Sequence, residues 1–145
     1  MRQFTRSALV AAPPERLLAL INDVERYPEF LPWCVGARLV SRTPTEIVAS
    51  LDVKRSLLRT SFTTRNTLED GNVVRMDLVE GPFKSLQGRW TVMPIDAAGG
   101  GSMGCRVTLA MRFEFANALS GALLEPLFEQ TAASLVEAFV ARARA

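Results

Sequence analysis

The sequence contains no histidine among its 145 residues. Histidine is the side chain that most often acts as a general base near neutral pH, and most Ser and Cys nucleophiles depend on it. Carboxylates could replace it, but no pair of them lies in an apolar segment. No Gly-rich phosphate loop follows a predicted strand either. We therefore expect no catalytic residues and a protein that is not an enzyme.

Cysteine is almost as scarce, with only Cys34 and Cys105. In a cytoplasmic chain, two thiols are more often reduced core residues than a disulfide. Without histidine they cannot build a common zinc site. We expect two inert, buried thiols, no metal and no cofactor beyond a bound ligand.

Long apolar runs and a strong charge excess are missing too. No uncharged stretch is long enough to span a bilayer, and the apolar part of the N-terminus is too short for a signal peptide. The net charge is only +2, whereas a dedicated nucleic-acid binder carries a larger excess on one face. We expect a cytoplasmic protein with no DNA partner; contact with the periphery of the inner membrane stays open.

What is present is the composition of a single globular domain, 48% hydrophobic and 22% charged, which we place at residues 1–145. Pro13 and Pro14 open a short helix after the first strand, and Asp70-Gly71 is a strong hairpin signal. Strict alternation over residues 104–115 indicates a sheet with one buried face. The predicted strands are 3–10, 35–42, 46–54, 57–68, 73–80, 86–93 and 104–115.

Residues 118–144 have a helical pattern with one apolar stripe, and Pro126 inside it predicts a kink or a restart. The stripe consists of Leu124, Leu127, Phe128, Thr131, Leu135, Ala138 and Phe139. A long meander must curl to bury its apolar face against such a helix. We predict an α+β helix-grip fold, in which a curved antiparallel sheet of about seven strands grips the long C-terminal helix.

Alternate turns of a meander lie at opposite ends of the sheet. The segment before the second strand, the turn at residues 54–56, the loop at residues 80–85 and the start of the long helix therefore gather at one end, which we call the mouth. The turns at 43–44 and 70–71 and the loop at 99–101 lie opposite. Because a gripped helix often leaves space beneath the sheet, we predict an apolar cavity opening at the mouth.

The candidate site residues fall into three groups. Apolar side chains expected to line the cavity and mouth are Trp33, Phe62, Met76, Phe83, Trp90, Met111, Phe113, Leu124 and Phe128, with Phe83 as a gate on its loop. Polar side chains that would contact a ligand head group, or else be satisfied within the protein, are Thr60, Thr64 and Asn66. Basic side chains that would face anionic lipid or RNA, or else form a solvated edge, are Lys54, Arg55, Arg59 and Lys84.

Several segments carry a family resemblance: residues 27–34 (YPEFLPWC), residues 79–84 (VEGPFK) with Leu86 and Trp90, residues 113–115 (FEF), and residues 137–139 (EAF) with Arg142. With them, nearly the whole chain resembles the coenzyme Q-binding START-like family, of the polyketide cyclase/dehydrase-type fold, which includes bacterial ribosome association toxins. The resemblance implies a START-like, Bet v-like fold without catalytic residues.

The same resemblance implies one of two roles. In the first, the cavity binds ubiquinone or a related polyprenyl quinone and supports respiration. In the second, the protein binds the large ribosomal subunit, blocks subunit joining and inhibits translation. We take the hydrophobic ligand as the principal expectation and the ribosomal subunit as the alternative.

Overall fold

Seven antiparallel strands form one sheet in the order β1-β7-β6-β5-β4-β3-β2. The computed structural model describes residues 2–55, 57–96 and 102–144. Its strands are β1 (Arg2–Val10), β2 (Cys34–Arg42), β3 (Glu46–Arg55), β4 (Leu58–Glu69), β5 (Val73–Glu80), β6 (Phe83–Asp96) and β7 (Ser102–Phe115). Its helices are α1 (Pro14–Asn22), a 3₁₀ helix (Val24–Glu29) and α2 (Ala118–Arg144). The predicted helix-grip fold is confirmed.

The hairpin between β4 and β5 turns as its sequence indicates. Asp70 and Gly71 both have positive φ, 50° and 74°, the combination whose twist matches that of the flanking strands. At the other end, pairing of β5 with β6 stops at Asp77 opposite Gln87, so the two strands separate toward the mouth. The predicted turn at residues 99–101 lies outside the described residues.

The loop predicted at residues 80–85 is much shorter than expected. β6 begins at Phe83, which pairs with Phe115 of β7, so Phe83 and Lys84 are strand residues. The prediction that Phe83 lies on a loop is wrong. Gly81 and Pro82 indicate a turn, but pairing with β7, a strand distant in sequence, extends β6 back to Phe83, the residue that follows them.

α2 lies across the concave face of the sheet. Three residues of the predicted stripe, Leu127, Phe128 and Phe139, are buried, and so are Val136 and Val140, which the prediction left out. α2 runs through Pro126 as one helix and does not restart there. Its C-terminal end is held by the Arg142–Glu29 ion pair, at 2.6 Å, and by a hydrogen bond that the Arg16 guanidinium donates to the Ala143 carbonyl, at 2.9 Å.

Two apolar clusters make up the core. The larger one surrounds Leu17, Ile21 and Phe139, and the smaller one, which we call the mouth cluster, contains Val53, Phe83, Leu86, Phe113, Leu127 and Phe128. Both cysteines are free and buried, as predicted. None of the helices described is long and apolar enough to cross a membrane.

Candidate ligand-binding site

Two backbone hydrogen bonds tie the mouth together. The Lys54 N–H donates to the Trp33 carbonyl at 2.8 Å, which fixes the aromatic segment against the end of β3. The Ala116 N–H donates to the Pro82 carbonyl at 3.0 Å, which fixes the start of α2 against the turn between β5 and β6. The gathering of these segments at one end, predicted from turn parity, is confirmed.

A cavity of about 90 Å³ lies between the sheet and α2, where the two clusters meet. Residues from the sheet, the 3₁₀ helix and α2 contribute to its wall. The predicted residues that line it are Trp33, Phe62, Met76, Trp90, Met111, Phe113, Phe128, Thr64 and Asn66. On β4 the shared parity of Phe62, Thr64 and Asn66 brings all three to the concave face, as the sequence indicated.

Three predicted residues do not line the cavity. Phe83 is 6% exposed, and its ring stacks on that of Phe115, with the centroids 5.3 Å apart. Leu124 is half-buried against the same mouth cluster. Thr60 borders a shallow groove at the mouth beside Gly81. Phe83 is thus buried in the mouth cluster, behind the residues that line the cavity, and is not free to move as a gate.

Sequence reasoning missed several lining residues, including Tyr27, Leu135 and Phe139. The helical stripe had already placed Leu135 and Phe139 toward the sheet, so that signal was available. Tyr27 is the only ionisable side chain among the described lining residues. Burial, with smaller effects from Cys34 and Asp23, raises the pKa of Tyr27, and its hydroxyl donates to the Ile21 carbonyl. A neutral, hydrogen-bonded phenol is a poor general base.

The polar groups of the wall are few and almost fully buried. The Thr64 hydroxyl donates to Asn66 Oδ1 at 3.0 Å, and these residues are 8% and 6% exposed. The Trp33 indole nitrogen is buried and has no hydrogen-bond partner in the described part of the chain. Burial of a polar atom without a partner is rare in native proteins, so this donor needs an explanation.

Gly88 has no side chain, and this leaves room for the flexible side chains of Met76 and Met111 over the neighbouring strands. A Cβ added at Gly88 would lie 2.5 Å from Met76 Cε and 3.3 Å from Met111 Cγ, and both methionines line the cavity. Because Met is unbranched and adaptable, this part of the wall can change shape at little energetic cost.

Comparison with known proteins assigns the family. Residues 10–140 match the family described as polyketide cyclase / dehydrase and lipid transport. The chain belongs to this family. It is 40% identical over 144 residues to the ribosome association toxin RatA of Vibrio cholerae, covering 99% of this chain and 96% of that protein. It is 29% identical over 142 residues to the mitochondrial coenzyme Q-binding protein COQ10 of Saccharomyces cerevisiae, covering 92% and 67%.

Solved structures show the same fold. A START superfamily protein from Mycobacterium smegmatis superposes with a TM-score of 0.79 at 21% identity, covering 98% of this chain and 97% of that one. The Zhui aromatase/cyclase from Streptomyces sp. R1128 superposes with a TM-score of 0.78 at 18% identity, covering 99% and 93%. At these identities the likeness concerns the START-like fold alone.

The mouth of this polyketide cyclase-family chain carries exposed positive charge. Lys54 and Arg59 face each other in the β3–β4 register, and Lys84 is exposed at the start of β6. None of these three makes an ion pair with another described residue. The side chain of Arg55, the fourth predicted cation, lies outside the described part. Adjacent like charges without acidic partners produce a local positive field.

No metal site accompanies the cavity. Within residues 2–55, 57–96 and 102–144, no three His, Cys, Asp or Glu side chains lie close enough to hold an ion. Burial raises the pKa of the Cys34 thiol to about 11; a backbone hydrogen bond at Gly36 opposes this effect, and the negative charge of Asp52 adds to it. The thiol is therefore protonated, and unreactive, at neutral pH.

Proposed function

We propose that the protein binds a hydrophobic ligand of the quinone type, without catalysis, by enclosing its head group between the sheet and α2. The observation that supports this most is the composition of the cavity wall. It is almost wholly apolar, yet it holds a small number of buried polar groups that a head group can meet. The name of the yeast relative, a coenzyme Q-binding protein, supports the same ligand class.

Enclosure explains affinity without specific contacts along the tail. Apolar area removed from water contributes roughly 25 cal/mol per Å², so a prenyl tail lying along the mouth cluster stabilises the complex with no polar partner. The polar groups of the wall then orient the head group. In this proposal the protein supports respiration by carrying quinone in the cytoplasm, beside the inner membrane.

The cavity must widen to accept such a head group. An apolar cavity of about 150 Å³ admits benzene, whereas this one measures about 90 Å³. The adaptable Met76 and Met111 can supply part of the difference. The rest comes from movement of the N-terminal turns of α2, whose Leu119 and Leu123 are 71% and 51% exposed.

A ligand of this class is dissolved in membrane, so the mouth has to approach a bilayer. Leu57, 96% exposed, lies in the turn between β3 and β4, three residues from Lys54 and two from Arg59. An apolar tip flanked by cations suits an anionic lipid surface, where the leucine enters the interface and the cations meet head groups.

A glycine substitution tests the enclosure. Gly88→Ala brings a methyl group within 2.5 Å of the Cε atom of Met76, a residue that lines the cavity. We expect the affinity for a short-chain ubiquinone to fall at least about fivefold, since overpacking costs about 1–3 kcal/mol. Titration calorimetry measures the affinity.

Gly36→Ala is the matched control. Its added Cβ also meets only the end of a flexible side chain, Asp52 Oδ2 at 2.7 Å, but Gly36 does not line the cavity. Its affinity for the quinone should stay within twofold of the wild type. Equal losses in both variants, or no binding by the wild-type protein, would count against the proposal.

Association with the large ribosomal subunit is the second candidate, favoured by the 40% identity to a protein named ribosome association toxin RatA and by the cations of the mouth. Phosphate contacts release counterions, so such binding would weaken steeply with added salt. Lys54→Glu with Arg59→Glu should abolish subunit binding in sedimentation assays and leave quinone affinity unchanged. Arg106→Glu, an exposed control on the outer face of β7, should bind subunits like the wild type.

A further inference from the structure

The Trp33 indole is the first of two hydrogen-bond donors without an acceptor in the cavity wall. Its backbone carbonyl is fixed by the Lys54 N–H at 2.8 Å, which holds the residue at the mouth. Its Nε1–H lies in the wall, is buried and lacks a partner among the described residues. An indole nitrogen can only donate, so whatever satisfies it must carry an acceptor.

The Asn66 side-chain amide is the second donor. Its Oδ1 accepts the Thr64 hydroxyl proton at 3.0 Å. The two other lining hydroxyls are also used within the protein: Thr131 donates to the Leu127 carbonyl at 2.8 Å, and Tyr27 donates to the Ile21 carbonyl. The amide nitrogen of Asn66 makes no hydrogen bond within the part of the chain described, and the residue is 6% exposed. The oxygen of this amide is thus used inside the wall, and its N–H groups remain for a ligand.

We infer that the cavity selects a head group that only accepts hydrogen bonds, and therefore prefers an oxidised quinone to the corresponding quinol, with the Trp33 indole donating to one carbonyl oxygen. This inference rests on the proposed function. A quinone presents two carbonyl oxygens on opposite sides of its ring, and the two donors lie at two levels of the cavity, one at the mouth and one along β4. A quinol brings two O–H protons, for which the lining side chains offer hydroxyl oxygens and Asn66 Oδ1, which already accepts a hydrogen bond from Thr64.

The test compares three ligands with the same tail: decylubiquinone, its chemically reduced quinol, and decylbenzene. We expect wild-type protein to bind the quinone about 5- to 10-fold more tightly than the quinol, the range that one net hydrogen bond corresponds to. Trp33→Phe keeps an aromatic ring and removes the donor. The affinity of this variant for the quinone should fall by a similar factor, and its affinity for decylbenzene should stay within twofold of the wild type.

A measurement on the wild-type protein covers the case in which Trp33→Phe does not fold. The chain has only two tryptophans, so ¹⁵N-labelled indole gives two resonances, and the Trp90→Phe variant assigns them. The Trp33 indole proton should move downfield with decylubiquinone and should not move with decylbenzene. An unchanged resonance on saturation with quinone would overturn the inference.

The remaining outcomes separate this inference from the proposed function. If quinone, quinol and decylbenzene all bind equally, the cavity encloses apolar ligands but does not select a redox state, so only this inference falls. Equal losses for all three ligands in Trp33→Phe would make the indole a packing residue and would also overturn it. If none of the three binds, the proposed function fails as well.

Discussion

Phe139 is the residue whose removal most directly tests how α2 closes the cavity. It is 1% exposed, and its ring meets those of Tyr27, Phe30 and Trp90 edge-on, at centroid distances of 5.3, 5.1 and 5.0 Å. Truncation of a core Phe to Ala costs about 3–5 kcal/mol, and three aromatic contacts place this site at the upper end. We expect Phe139→Ala to lower the free energy of unfolding by about 4–5 kcal/mol.

The same substitution should create a binding site for benzene. Phe139 lines the cavity, so the space vacated by its phenyl ring, which has the shape of benzene, joins the existing volume of about 90 Å³. Benzene that binds the folded variant stabilises it by mass action, by about 1.4 kcal/mol at ten times its dissociation constant. The wild-type cavity has to widen before it admits a ring, so benzene should stabilise the wild type less than it stabilises Phe139→Ala.

Urea unfolding with and without benzene, followed by circular dichroism, gives both quantities. Leu17→Ala is the control, because Leu17 is fully buried but does not line the cavity. It should lose about 2–5 kcal/mol and recover less than Phe139→Ala in benzene, because its vacated space does not join the existing cavity. The reasoning is refuted if Phe139→Ala loses less than about 2 kcal/mol, or if benzene stabilises both variants equally.

Two further predictions concern a glycine with positive φ and the loss of stability at alkaline pH. Gly104 has a φ of 131°, and an added Cβ would lie 2.0 Å from the Val10 carbonyl oxygen, whereas a Cβ at Gly71, with a φ of 74°, meets nothing within 4 Å. Thermal unfolding should therefore show Gly104→Ala to be more destabilised than Gly71→Ala, by at least about 2 kcal/mol; equal losses would refute the clash. Because the folded pKa of the Cys34 thiol, about 11, exceeds its ordinary value of 9.0, stability should be intact below pH 9 and decline toward pH 11. The stability of Cys34→Ala should decline less steeply between pH 9 and pH 11, and identical slopes for the variant and the wild type would contradict this prediction.

Much of the fold followed from sequence because its signals are local. Alternation along β7 and the Asp70-Gly71 turn depend only on neighbouring residues, and the parity of successive turns then places the mouth. On β4, one inward-facing residue, Phe62, fixed the direction of Thr64 and Asn66. Periodicity is enough to select the face of an element, and here the predicted site residues include half of those that line the cavity.

The remaining features depend on contacts between distant segments. Phe83 looked like a loop residue because Gly81-Pro82 precedes it, but pairing with Phe115 makes it a residue of β6 and places it in the mouth cluster. The size of the cavity and the unpaired state of the Trp33 nitrogen also depend on how several elements meet. Neither has a signal in any single segment.

The pairing of β1 with β7 has a consequence for synthesis of the chain. The hydroxyls of Ser7 and Thr108 lie 2.9 Å apart although 101 residues separate them. A sheet that joins β1 to β7, the first and last of its own seven strands, has high contact order and folds slowly. Since α2 follows β7, the cavity lacks one wall until residues 118–144 have left the ribosome. A ligand can therefore be enclosed only after α2 has been made, and a nascent chain that stalls before α2 displays the apolar face of the sheet to chaperones.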